Sequence, residues 1–381
     1  MSKLIVYCAD GTWNGPGQDE NDDREPDPTN VYKLFVGLAG QPATETRDAD
    51  EQEKELRQNG RSVQVAKYVH GVGDSRNPIK KLMGGAFGAG TISRIVRGYT
   101  YISRNYESGD HIVVAGFSRG AYTARALAGL IVSQGVLAKR LTGDKTQAYR
   151  YGAQAWYRYR KTSKRPGLLP RLVEVAADLP AFLSRDELTA NDLIPVERIR
   201  AVAAWDTVGA LGIPRYTEDD RVDAFRFTDA RLSPKVDRGF HAVSLDEQRI
   251  DFTPTLWDQA DNVAQVAFPG AHADVGGGYP IQTGESGLSD IALDWMTEQL
   301  AGVGVQFDDP VFTPFRPDSA GIAHKPWQHP PFNAPGKAAP RDLNGQGLEA
   351  HESIGKRMNA GPVTHEPGEP PAPYVPTNWQ P

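Results

Sequence analysis

The chain has a single cysteine, Cys8, in 381 residues. One thiol excludes an internal disulfide framework and a cysteine-built zinc site, so folding does not depend on an oxidising compartment. Long apolar runs are missing as well. The nearest approach to the ~18–20 uninterrupted apolar residues that span a bilayer is Ala121 to Ala138, which Arg125 and Gln134 interrupt. The N-terminal apolar stretch meets Asp10 too early for a signal-peptide core. An excess of basic charge is also lacking: the formal net charge is −6, which gives no general attraction for nucleic acid. A soluble protein, cytoplasmic in the cell that makes it and meeting lipid only from the surface, is the expectation.

What the sequence does contain is a rhythm. Apolar runs rich in Val, Ile and Ala recur at Lys3–Cys8, Val63–Val69, His111–Ala115, Ile199–Trp205 and Val263–Phe268, with helix-like stretches between them. Strands that are apolar without clean alternation are buried on both faces, as in a parallel sheet covered by helices. The predicted fold class is therefore α/β, a mostly parallel sheet flanked by helices, forming one domain over residues 1–381. Thr29-Asn30 offers an N-cap to a helix near Val31–Leu38, and a second helix is predicted over Thr91–Tyr106.

Three stretches depart from the rhythm. The charged segment 44–61 reads as a solvated surface insertion. Residues 141–193 read as a helical, lid-like insertion in which Trp156, Tyr157 and Tyr159 alternate with Arg158, Arg160 and Lys161. Aromatics packed inward explain that segment as well as lipid contact does. Fifteen of the 29 prolines lie beyond residue 300, so the tail, about 310–381, is expected to wrap the core in extended form.

The strongest chemical signal is local. The strand His111–Ala115 runs into Gly116-Phe117-Ser118-Arg119-Gly120 and then into a helix-prone stretch. That is the strand–turn–helix setting of a nucleophile elbow, with Ser118 as nucleophile. The Arg119 N–H, at the positive end of the following helix, is a candidate oxyanion donor. A second donor is expected after the first strand, from Gly11 or Thr12, although Asp10 there can equally be a turn ligand. Asp206 ends a predicted strand, on the sheet edge expected for Ser118, and His272 follows another. They supply the acid and base in the order Ser, Asp, His that this fold uses. Asp274 is the second choice for the acid; His241 and His351 are rivals for the base. The glycine run Gly84 to Gly90 lacks the Gly-Lys-Ser/Thr ending of a phosphate loop and reads as a packed turn.

Taken together, Ala9 to Asn14, the Gly85–Gly90 run, Gly109-Asp110, Gly116 to Ala121, Trp205 to Gly209, His241 to Glu247, Pro254 to Trp257, His272 to Tyr279 and His351 to Ile354 resemble one family across nearly the whole chain. The chain looks like the α/β-hydrolase family of type VI secretion lipase effectors and their bacterial and fungal relatives. The resemblance implies a Ser-Asp-His triad, here Ser118, Asp206 and His272, and phospholipase activity on glycerophospholipids. It also implies contact with a membrane surface, with secretion-apparatus and immunity proteins, and release into a target cell without a signal peptide. Acyl transfer by such a triad needs no metal or cofactor. A stand-alone intracellular esterase of the same family fits the motifs too. The rivals from other classes are a metal-dependent phosphohydrolase on Asp10 and Asp274 and a non-catalytic binding module.

Overall fold

The computed structural model describes residues 2–11, 15, 17, 19, 25–46, 51–71, 87–162, 187–208, 230–330, 332–334 and 336–376. In chain order the elements are β1 (Leu4–Ala9), α1 (Asn30–Gly37), β2 (Gln41–Pro42), β3 (Glu51–Gln58), β4 (Arg61–Val69), α2 (Phe87–Asn105), β5 (His111–Phe117), α3 (Arg119–Gln134), β6 (Val136–Leu137) and α4 (Lys145–Thr162). They continue with β7 (Leu193–Ile194), β8 (Ile199–Trp205), β9 (Val236–Ser244), β10 (Val263–Phe268), α5 (His272–Gly276), α6 (Gly287–Gly302), β11 (Glu349–Ala350), α7 (Glu352–Asn359), β12 (Pro362–Val363) and β13 (Ala372–Pro373).

Among the described residues one sheet runs in the order β11-β10-β9-β8-β5-β1-β4-β3-β2. Every pairing from β11 to β4 is parallel, and only the β4-β3-β2 edge is antiparallel. The α/β class with a mostly parallel, helix-flanked sheet is thus observed. Its central strands are apolar on both sides because each face is covered. Ile5, Tyr7 and Ala9 of β1 enter a core with residues of α2, α3 and α4. Leu4, Val6 and Cys8 enter a second core with α1 and α6. The chain leaves β4 on one side of β1 and returns as β5 on the other. At such a reversal the loops diverge beyond the strand C-termini and leave a crevice.

The charged segment 44–61 is a correction. Residues Glu51–Gln58 form β3, a strand of the main sheet. Its alternate glutamates find cations: Lys67 Nζ lies 2.7 Å from Glu51 and Arg104 Nη2 2.8 Å from Glu53. Lys54, from the other side of the strand, donates to the carbonyls of Val36 and Leu38. Charge tolerated at a sheet edge is what makes such a segment look like loop. Within 141–193, α4 is described and buries Trp156 in the core beside α2 and α3, which is the inward-packed reading. Residues 163–186 of the expected lid, and 84–86 of the glycine run, lie outside the described residues; Phe87 already belongs to α2. The tail contributes β11 to the edge of the sheet and a small core of its own, with Leu343, Ile354, Val363 and Tyr374 packed on Val243, Leu245 and Ala267.

The turn from β5 into α3 is the tightest point of the fold. Ser118 sits there at φ 57°, ψ −122°, a region that non-glycine residues rarely occupy. A Cβ on Gly120 would stand 2.0 Å from the Ala9 carbonyl oxygen and 2.5 Å from that of Asp10. Both are backbone atoms of the central strand and its loop, so neither can give way. Gly120→Ala should therefore lower the urea-unfolding free energy by at least ~2 kcal/mol; an unchanged midpoint would contradict this packing. Ser118→Gly should relieve the backbone strain and be about 1 kcal/mol more stable than Ser118→Ala by thermal unfolding. Equal midpoints would mean that no strain is stored at the turn.

Candidate active site

Ser118, Asp206 and His272 stand at the C-terminal ends of β5, β8 and β10. Ser118 N–H donates to the Trp205 carbonyl at 3.0 Å, and Asp206 N–H donates to the Ala242 carbonyl at 2.7 Å. The two residues therefore leave neighbouring strands side by side. Asp206, like Ser118, turns out of its strand at positive φ, 38°. Downstream, Thr255 N–H donates to the Thr207 carbonyl at 2.8 Å and holds the loop.

His272 begins α5 and reaches across to Asp206, with its Nδ1 2.5 Å from Oδ2. Its ring packs against Phe117, centroids 4.5 Å apart, and edge-on to Phe252 at 4.9 Å. The position is possible because residue 276 is glycine: a Cβ there would stand 2.0 Å from the Phe117 ring. With Nδ1 committed to the carboxylate, Nε2 is buried and has no hydrogen-bond partner among the described residues. Burial holds the imidazole below its ordinary pKa, against the opposing pull of Asp206.

Asp206 is fully buried, which alone would favour its neutral form, yet its pKa is held far below the carboxylate range by Arg341 and His272. Arg341 donates Nη1 to Oδ1 at 2.7 Å and Nη2 to Oδ2 at 2.9 Å, and Ser244 N–H donates to Oδ1 at 3.0 Å. Four donors thus meet one carboxylate. Beside it, Glu247 accepts from His272 N–H at 3.1 Å and pairs with Arg249 at 2.7 Å.

The second-choice residues have other work. Asp274 accepts from the N–H groups of Ala271 and His324 at 2.8 and 3.0 Å, and pairs with the His324 ring at 2.7 Å. It fastens the loop that carries His272 and is not its partner. His241 is buried in β9, where its Nε2 accepts from Thr207 N–H at 3.0 Å. Burial and then Arg125 push it down to about 3, so it remains neutral and serves as an acceptor. His351 caps α7, accepting from Ser353 N–H at 3.2 Å, and stacks on Phe268.

Asp10 is a turn ligand. It accepts from Gly11 N–H at 2.7 Å, the Thr29 hydroxyl at 2.8 Å and the Tyr68 hydroxyl at 2.6 Å. The Gly11 amide, expected as an oxyanion donor, is thus turned to Asp10, and Thr12 lies outside the described residues. Arg119 is the first residue of α3, in the turn whose amides point out of the helix end. The carboxylates of the phosphohydrolase reading, Asp10 and Asp274, are both engaged by protein donors. Among the described residues no helix is long and apolar enough to cross a membrane.

Residue-by-residue reading missed Arg341, Ser244 and Glu247. Nothing marks Arg341 within Pro340-Arg341-Asp342, 135 positions from Asp206. The Ser244 contribution is a backbone amide, which no side-chain pattern announces.

Comparison with known proteins places the chain in a family. An uncharacterized protein of Saccharomyces cerevisiae is 29% identical over 266 residues, covering 66% of this chain and 32% of its own length. The chain thus spans about a third of that relative. A solved uncharacterized protein from Pseudomonas aeruginosa aligns over 84% of this chain and 49% of its own, at 18% identity and TM-score 0.44. A Tle1 effector, solved bound to the VgrG spike of the type VI secretion system, aligns over 74% of this chain and 52% of its own, at 18% identity and TM-score 0.38. The model of the type VI secretion, Tle1-like phospholipase effector catalytic domain matches residues 3–299, and the chain belongs to that family.

Proposed function

We propose that the protein hydrolyses carboxylic esters of phospholipids through an acyl-enzyme on Ser118. The observation that carries this reading is the Asp206–His272 pair set beside a serine at positive φ on a strand-to-helix turn. Asp206 accepts a hydrogen bond from Nδ1–H, which fixes the tautomer and so leaves Nε2 as the basic nitrogen. His272 takes the Ser118 proton as the oxygen attacks the ester carbonyl. The Arg119 amide and the N-terminal end of α3 receive the charge on the carbonyl oxygen. When the tetrahedral adduct collapses, the carbon–oxygen bond to the alcohol breaks and His272 returns the proton to the leaving alcohol. Water, deprotonated by the same imidazole, then releases the acid and restores Ser118.

Family membership supports a phospholipid as the ester and a type VI secretion apparatus as the route of delivery. The protein would be made in the cytoplasm and act on the membranes of a target cell, meeting the bilayer peripherally. An immunity protein in the producing cell would guard its own lipids. The same machinery would serve a stand-alone esterase, and vesicle hydrolysis separates the two.

A fluorophosphonate should add once to the wild type and not to Ser118→Ala, with labelling of His272→Ala slowed at least ~1000-fold. Intact mass reads the adduct, and a folded wild type that takes no label would end the serine mechanism. The wild type should also release fatty acid from phosphatidylethanolamine and phosphatidylglycerol vesicles; turnover of small soluble esters alone would favour the esterase reading. Because burial lowers the pKa of His272, kcat/KM for a soluble ester should fall on the acid side with a midpoint below about 6.5. A midpoint above 7 would contradict the neutral, buried base.

A further inference from the structure

The stretch matched to the family ends at residue 299, yet the buried carboxylate of the site takes two of its four hydrogen bonds from residue 341. Resting on the hydrolase reading above, we propose that Arg341 is a positioning residue through which the C-terminal tail completes the active site, its fork fixing the orientation of Asp206 and offsetting the charge that Asp206 presents to His272.

The tail is placed for this. Residues 337–343 lie along the segment that follows Glu247: Ala339 N–H donates to the Gln248 carbonyl at 2.8 Å, and Ile250 N–H donates to the Lys337 carbonyl at 3.1 Å. Leu343 is buried in the tail core and anchors the far side. Between these points Arg341 turns inward, its side chain 5% exposed. Besides Asp206 it reaches the carbonyls of Ser244, at 2.8 Å, and Phe252. One planar group therefore ties together the acid, the end of β9 and the loop whose Phe252 ring stands edge-on to His272. A lysine could supply the charge but not the two parallel bonds.

The electrostatic consequence follows from sharing. Asp206 Oδ2 accepts from both Arg341 Nη2 and His272 Nδ1. A guanidinium on the same oxygen weakens the field that would hold a proton on the imidazole. Among the described residues, the carboxylates packed around His272 each have a partner. Glu247 is taken by Arg249, Asp274 and Glu285 by His324, and Asp290 of α6 by Lys33. Asp246 accepts from Gly270 N–H and the Tyr374 hydroxyl. His241 stays neutral, and Arg119 is the charged group contributed by the start of α3. Among the described residues Arg341 is the cation paired with Asp206.

The test compares Arg341→Gln and Arg341→Lys with the wild type. Each is read by kcat/KM against pH on a soluble ester and by the 1H NMR titration of the His272 ring, after circular dichroism has established folding. Arg341→Gln should move the acid limb and the His272 titration upward together, by about one pH unit, and lower kcat at least ~10-fold. Arg341→Lys should keep the limb near its wild-type position while kcat still falls, because charge survives and the fork does not. A purely structural residue would lower activity without moving the limb, so a folded Arg341→Gln with an unmoved titration overturns the proposal. If Arg341→Gln does not fold, Arg341→Lys decides, read by kcat and by the downfield 1H resonance of the proton between His272 Nδ1 and Asp206: a kcat within twofold of wild type, or a loss of activity with that resonance unmoved, overturns the role, and a tenfold loss in folded protein with the resonance shifted or lost supports it. The titration needs no substrate. A wild type that refuses fluorophosphonate would end the hydrolase reading, and a titration that still moved would leave the hold of Arg341 on the Asp206–His272 pair established.

Discussion

A carboxylate with no exposure to water is the constraint on which the site turns. Burying an ionised group without partners is prohibitively costly, and it is tolerated only where donors converge on it. Asp206 obtains four, from the end of β9, from α5 and from the tail. Each is a long-range contact, spanning 38, 66 and 135 positions for Ser244, His272 and Arg341. The satisfaction of one anion thus requires the parallel sheet, the glycine-rich loop after β10 and the tail to be in register together. Removing a single partner from such a buried cluster typically costs about 3–5 kcal/mol, so stability and site geometry are coupled here.

The sheet supplies the rest of the geometry with little help from side chains. Parallel strands deliver their C-terminal ends to one edge, and β5, β8 and β10 deliver Ser118, Asp206 and His272 there. Close backbone approach finishes the arrangement. Gly120 lets α3 press against the end of β1, and Gly276 lets the Phe117 ring lie beneath α5. Phe117 precedes the serine in sequence and touches the histidine in space. Glycines distant from each other thereby set the relation between Ser118 and His272.

Much of the fold is legible in the sequence itself. The buried parallel strands announce themselves as unbroken runs of Val, Ile and Ala, and the serine by small residues two before and two after it at a strand–helix junction. Legibility failed where function is carried by things a residue type does not encode. The 51–58 segment reads as solvated because its glutamates and lysine look unpartnered, and their partners lie on β4, α2 and the end of α1. The Gly11 amide looks available until Asp10, folded back on its own loop, takes it. Arg341 is one arginine among many until the tail is laid against the 248–252 segment.

The two histidines nearest Asp206 show why environment, more than residue type, assigns roles in this site. His241 and His272 are both buried, and burial disfavours the imidazolium in both. His241 sits mid-strand with Nε2 already accepting from the Thr207 amide and Nδ1 beside Gln265, so neither nitrogen is left for a reactant. It holds the backbone just after Asp206. His272 begins a short helix, gives Nδ1 to Asp206 itself and leaves Nε2 unpartnered among the described residues. Proximity to Asp206 is common to both. What separates them is which nitrogen the surrounding backbone has already claimed, and that follows from a strand interior in one case and a loop end in the other.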